Sequence, residues 1–138
     1  MAGIKDKVSV IGMGCTKFNE RWTDSREDLI LEAVNEALAD ANLTIDDIDV
    51  FECNEAFAAQ NLGVIKEMEN QSGKTINQDK WNPNGGAISF GHPNGASGAR
   101  IGIFCMKELA RTGGRYGLFS SCCGGGQGVT TLIENLRR

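Results

Sequence analysis

The chain has 138 residues, of which 18 are acidic and 14 basic, a length that suits one domain spanning 1–138 and burying about two thirds of its unfolded surface. No stripe of Lys or Arg is present, so nucleic acid and anionic membrane surfaces are not expected partners. The start MAGIKDK has no apolar stretch behind it, and no apolar run approaches the roughly 18 residues of a bilayer span, which leads us to expect a soluble, cytoplasmic protein without a cleaved leader.

In chain order, Val8 to Gly14 (VSVIGMG) is a short β-branched run closed by glycine and reads as a buried strand. Ser25 followed by Asp28 has the form of a capping box, and Leu29, Ile30, Ala33, Ala37, Leu38 and Ala41 then recur at helical spacing, predicting a helix from Ser25 to Asn42. Asp49 to Cys53 predicts a second strand and Ala56 to Met68 a second helix. The polar stretch Glu69 to Trp81 reads as a loop. Further on, Ala87 to Phe90 predicts a short strand between glycine turns. A helix is expected from Ala96 to Thr112, stopped by Gly113 and Gly114. Strands are expected at Tyr116 to Ser121 and Val129 to Ile133, joined by a glycine-rich turn so that they run antiparallel. Strands alternating with helices give an α/β fold, β-α-β-α-β-α-β-β, with a mixed five-stranded sheet covered by helices on both faces.

The cysteines Cys15, Cys53, Cys105, Cys122 and Cys123 are odd in number and show no C-x-x-C spacing, and they share the chain with a single histidine. We expect no metal site and no cofactor, only free thiols in a reducing compartment. Cys15, Cys53 and Cys105 fall in predicted strand or helix, where small buried thiols are usual. A dinucleotide fingerprint at GMGCTKF fails, because the third glycine of G-x-G-x-x-G would fall on Lys17. Glycine is concentrated in NPNGGA, GHPNGASG and CCGGGQG. Each cluster taken singly is consistent with tight turns, or with bare backbone N–H groups turned toward a ligand. Likewise His92 before Pro93 reads alone as a hydrogen-bonded loop residue, and Asn54 as a turn residue.

Taken together, NEAFA (Asn54 to Ala58), GGAISFGHPNGASGAR (Gly85 to Arg100) and CCGGGQG (Cys122 to Gly128) resemble, in that order, the C-terminal half of the thiolase family. The resemblance implies a thiolase-half fold and chemistry of the acetyl-CoA acetyltransferase kind, with acyl-CoA as substrate. It implies that Cys122 is the general acid/base at the acyl α-carbon, that His92 lines the first oxyanion hole where Asn54 holds a water, and that the Gly124 N–H is a donor of the second. A thiol acting as base needs its pKa depressed, and a nearby histidine or bare backbone dipoles could do this. Cys122 is therefore expected to be the most reactive thiol, with the other three strand and helix cysteines shielded. Cys123 reads as a packing substitute for an aliphatic residue, and Ser89, Phe90 and Asn94 also depart from the family pattern.

No segment resembles the family's nucleophile-bearing half. The front, MAGIKDKVSVIGMGCTKF, instead resembles the N-terminus of sterol-carrier-type thiolases. Three functional readings stay open at this point. The chain is inactive alone; or it is a subunit completing a site with a thiolase-like partner; or it is a thioesterase using Cys122 and His92 on acyl-CoA. The apolar residues of the Ala96 to Thr112 helix occupy more than one face, from which we expect a homodimer built on that helix.

Overall fold

The computed structural model describes residues 7–17, 19, 21–123 and 127–137. Its strands are β1 (Val8–Cys15), β2 (Val50–Cys53), β3 (Tyr116–Cys123) and β4 (Gln127–Asn135), and its helices are α1 (Arg26–Ala41), α2 (Ala58–Ser72), α3 (Ala87–Phe90) and α4 (Ser97–Thr112). Single 3-10 turns lie at Ile45–Asp47 and Gln78–Lys80.

The long helices begin and end where the sequence gives physical reasons for it. Ser25 caps α1 by accepting from the Asp28 N–H at 3.1 Å, while the Asp28 carboxylate accepts from the Ser25 N–H at 2.8 Å. Those bonds hold the Asp28 carboxyl below its ordinary range. Gly73 (φ 69°) stops α2 and Gly113 (φ 75°) stops α4, both in the left-handed conformation. Helix α2 runs past the expected Met68 because Glu67 accepts from the Asn70 and Gln71 amides on its exposed side. Glu69 to Ser72 thus belong to the helix, and the loop expected over Glu69 to Trp81 begins at Gly73.

The sheet has the order β1-β4-β3-β2, with β4 antiparallel to both neighbours and β2 parallel to β3. It has four strands where five were expected. The segment 87–90 forms α3, in which the Glu55 carboxylate accepts from the Ile88 N–H at 3.1 Å, and Gly91 at φ 84° ends the turn. Helices α1 and α2 cover one face through Ile30, Val34, Val64, Phe51, Leu118 and Leu132. Helix α4 covers the other through Cys105 and Leu109, packed on Val50 and Ile133.

Because α4 lies mainly over β2 and β3, the outer side of β1 beyond Val8 is open among the described residues. Gly12 and Gly14 turn inward against α1, while Met13 (60% exposed) and Cys15 face out. The expectation that Cys15 is shielded therefore fails. No helix among the described residues is long and apolar enough to cross a membrane.

Candidate functional site

Three segments far apart in sequence meet at the C-terminal ends of β2 and β3. Asn54 follows β2 and extends the parallel pairing, its N–H donating to the Ser120 carbonyl at 2.9 Å. Its own carbonyl accepts from the Asn61 side chain of α2 at 3.1 Å. Asn82 fastens the strand end from outside, its side chain accepting from the Cys53 N–H at 2.8 Å and donating to the Cys53 carbonyl at 2.9 Å. It thus stands in for a neighbouring strand on the edge of the sheet. The result is a side chain of Asn54 that is 1% exposed and held on a rigid element.

His92 sits on the loop between α3 and α4. Arg100 of α4 donates to the Phe90 carbonyl at 3.1 Å and the Gly91 carbonyl at 2.9 Å, tying the loop to the helix behind it. Gly95 (φ 75°) makes the turn into α4. The imidazole is then fixed at both nitrogens: Nε2 lies 3.3 Å from Asn54 Nδ2 and Nδ1 lies 2.5 Å from Ser97 Oγ. Asn54 Oδ1 is buried without a hydrogen-bond partner, and an acceptor in that state favours a ligand or water that can donate.

Cys122 occupies the end of β3, paired with Gly128 of β4. It packs against the α1/α2 core and, together with His92, Ser97, Phe119 and Thr131, lines an open cavity of about 360 Å³. The structure thus places Asn54 against His92, and His92 beside the same cavity as Cys122. Gly124 lies outside the described residues. Burial pushes the Cys122 thiol up, Cys123 adds to this, and Arg26 opposes it. The expected depression is absent among the described groups, and Cys122 rests as the neutral thiol, a proton donor. Burial also pushes Cys53 up, to about 12, and raises Cys105.

The thiol ranking expected from sequence changes accordingly. Cys15 and Cys123 are exposed, Cys122 is half-buried and Cys53 and Cys105 are buried. Under limiting iodoacetamide at neutral pH, peptide mapping with fragmentation to separate the adjacent pair should find Cys15 and Cys123 labelled first, Cys122 later and Cys53 and Cys105 last. Labelling of Cys105 ahead of Cys123 would contradict the burial described. Ser97, Asn61 and Asn82 were not singled out from sequence as site residues. The partners of Asn82 are distant in the chain, and the contact of Ser97 to His92, though only five residues away, follows no strand or helix period that would betray it. Among the described residues no group of three or more His, Cys, Asp and Glu is placed to hold a metal ion.

The thiolase C-terminal domain family model matches residues 30–135. The beta-ketoadipyl-CoA thiolase of Acinetobacter baylyi is 46% identical over 104 residues, 75% of this chain and 25% of its own. The beta-ketoadipyl-CoA thiolase of Pseudomonas knackmussii is 40% identical over 134 residues, 97% of this chain and 32% of its own. Among solved structures, the Bacillus anthracis acetyl-CoA acetyltransferase superposes with a TM-score of 0.81 at 33% identity, over 94% of this chain and 30% of that one. Human mitochondrial 3-ketoacyl-CoA thiolase in complex with CoA gives 0.79 at 36%, over 91% and 30%. The chain thus spans between a quarter and a third of the length of these relatives. With the family model matching most of its length and the fold shared at this level of identity, the chain belongs to the thiolase family and corresponds to its C-terminal half.

Proposed function

We propose that these residues supply the proton-transfer and carbonyl-binding part of a thiolase-type site acting on acyl-CoA, and that they do not complete the reaction unaided. The observation that carries this reading is the Asn54–His92–Ser97 string opening onto the cavity that Cys122 lines as a neutral thiol. Acyl-CoA as ligand is supported by the relatives, whose names are those of acyl-CoA enzymes and one of which is seen with CoA. In the cleavage direction a nucleophile attacks the 3-keto carbon, the Cα–Cβ bond breaks, and its electron pair leaves on the thioester as an enolate. A donor at His92 and a water held by Asn54 would hold the enolate oxygen, and Cys122 would return the proton to Cα. A neutral thiol suits that acid step, and it disfavours the reading of Cys122 as a resting thiolate nucleophile of a thioesterase.

The attacking nucleophile is not among the residues gathered here, so it would have to come from another segment or another chain. Exposed apolar side chains for such a contact lie on and beside α4: Ile88 is 64% exposed, Ile103 45%, and Phe90, edge-on to Phe104, 43%. A second copy or a thiolase-like chain would cover them. The test is acetoacetyl-CoA thiolysis by the purified chain, with its mass read by light scattering. We expect a dimer and no cleavage above background, with cleavage appearing only when a nucleophile-bearing thiolase chain is added and lost again with Cys122→Ala. Turnover by the chain alone that survives Cys122→Ala would overturn the reading.

A further inference from the structure

We propose that α1 holds the outer edge of β1 shut against strand addition, with Glu36 and Asp40 occupying N–H groups that a second copy of this chain would otherwise pair with. Strand β1 is bonded to β4 on one side, and among the described residues no strand lies on its other side. The Thr16 N–H points inward and donates to the Gly128 carbonyl, so by the alternation of an extended chain the N–H groups of Met13, Cys15 and Lys17 point outward. Each of them meets a carboxylate of α1. Met13 donates to Asp40 at 3.3 Å, Cys15 to Glu36 at 2.8 Å and Lys17 to Glu32 at 3.4 Å.

The fit is one of period. Two residues of a strand advance about 6.7 Å and four residues of a helix about 6 Å, so a strand and a helix running in opposite directions stay in step over three rungs. Small residues bring the two elements close enough for this. A Cβ at Gly12 or Gly14 would run into the Ala37 or Ala33 carbonyl oxygen, so α1 lies directly against β1 and side chains on its exposed flank reach round to the edge. The first half of the strand carries a second device. Its register slips by one residue between Val10 and Gly12, a bulge that breaks the straight run an added strand would follow.

The side chains beside this edge would reward a newcomer. Val10 is 58% and Met13 60% exposed, and Cys15 is exposed as well, so an incoming strand would gain apolar contact along with backbone bonds. A strand edge can pair with its own copy about a twofold axis, and a carboxylate bonded to each outward N–H withdraws those donors from the exchange. Glu32 is also bound by Arg21, which leaves Glu36 and Asp40 as the two acceptors whose removal isolates the effect.

The double variant Glu36→Ala/Asp40→Ala keeps good helix formers in α1, and its mass by light scattering should be about twice that of the wild type or more at the same concentration. Because the reference is the wild type, any association through α4 cancels. Glu36→Gln/Asp40→Asn retains an acceptor oxygen at each place and should stay at the wild-type mass. Adding Met13→Pro to the alanine variant removes an outward N–H without touching a bond to β4, and should bring the mass back to that of the wild type. In the wild type itself, the Cys15 N–H should exchange with solvent about tenfold more slowly than in an unstructured chain, or slower still. A wild-type Cys15 amide that exchanges at the unstructured rate overturns the proposal whether or not the variants fold. So does a folded alanine variant at the wild-type mass, a Gln/Asn variant that associates as far as the alanine one, or association that Met13→Pro leaves in place.

Discussion

Glu52→Gln is expected to stabilise the chain by about 3 kcal/mol at neutral pH, with the gain vanishing toward pH 4.5. Glu52 lies in the middle of β2, 1% exposed, with neither carboxylate oxygen hydrogen-bonded. By the alternation of a strand it shares a side with Val50, beneath α4. Burial pushes its carboxyl from the ordinary 4.5 to about 8, and the nearby carboxylates Glu108 and Glu55 push the same way.

Glu108 is itself held ionised by Arg111 and Asn84, so the repulsion persists at neutral pH. The direction of the effect follows from which state releases the proton first. Above pH 4.5 the unfolded chain ionises at Glu52 while the folded chain keeps the proton, so stability falls as pH rises through the interval from 4.5 to 8. At about 1.4 kcal/mol per pH unit, the part of that interval below neutrality amounts to about 3 kcal/mol. A glutamine of the same shape never ionises. Urea melts of both proteins at several pH values isolate the effect, because every other titrating group cancels in the difference. A stability difference that stays flat between acid and mildly alkaline buffer would sink this account of Glu52.

Much of the fold was legible because its determinants are local. The Ser25–Asp28 box, the period of α1, and the glycines after α2 and α4 are all within a few residues of what they control. What escaped is long-range. The AISF segment is too short for period to separate strand from helix, and the choice is made by Glu55, more than thirty residues earlier in sequence, which accepts from the Ile88 N–H. Cys15 looked shielded because it falls in predicted strand, where a buried apolar cysteine is usual, but which face of a sheet is covered is a property of the whole topology.

The site divides in the same way. Asn54, His92 and Cys122 were legible only through the family resemblance, since nothing in their own spacing distinguishes them from turn and strand residues. Ser97, whose hydroxyl contacts His92 Nδ1, lies inside the most distinctive motif of the chain and was still passed over. Its significance is a 2.5 Å contact to a ring nitrogen, and a helix-start serine has an ordinary reading as a cap. The depressed Cys122 pKa was expected from neighbours with favourable charge or dipole, whereas the dominant influence is desolvation of a half-buried strand end.

Gly128→Ala is expected to cost about 3 kcal/mol or more, at the upper end of overpacking effects, and to lower Tm by about 10 °C for a chain of this size. Gly128 sits on β4 directly opposite Cys122 and faces α1. A Cβ there would press into the Leu29 carbonyl oxygen, 2.8 Å from the Leu29 carbonyl carbon and 2.9 Å from the Ile30 Cα, all of it backbone that cannot rotate away. Gly128 is also locked to the end of β1, with Thr16 donating its N–H to the Gly128 carbonyl and accepting from the Gly128 N–H, each at 3.0 Å. Relief therefore requires either α1 or the β3–β4 hairpin to shift. A shift of the hairpin carries Cys122 away from the α1 face that half-buries it, which weakens the burial that raises its thiol, so its alkylation should quicken in the folded variant. Gly98→Ala is the matching control. Gly98 lies in the first turn of α4 with nothing within 4 Å of an added Cβ, so a small gain of up to about 1 kcal/mol is expected from the better helix former. If Gly128→Ala melts with the wild type while Gly98→Ala shifts as expected, the close approach of β4 to α1 is not what holds the Cys122 strand end in place.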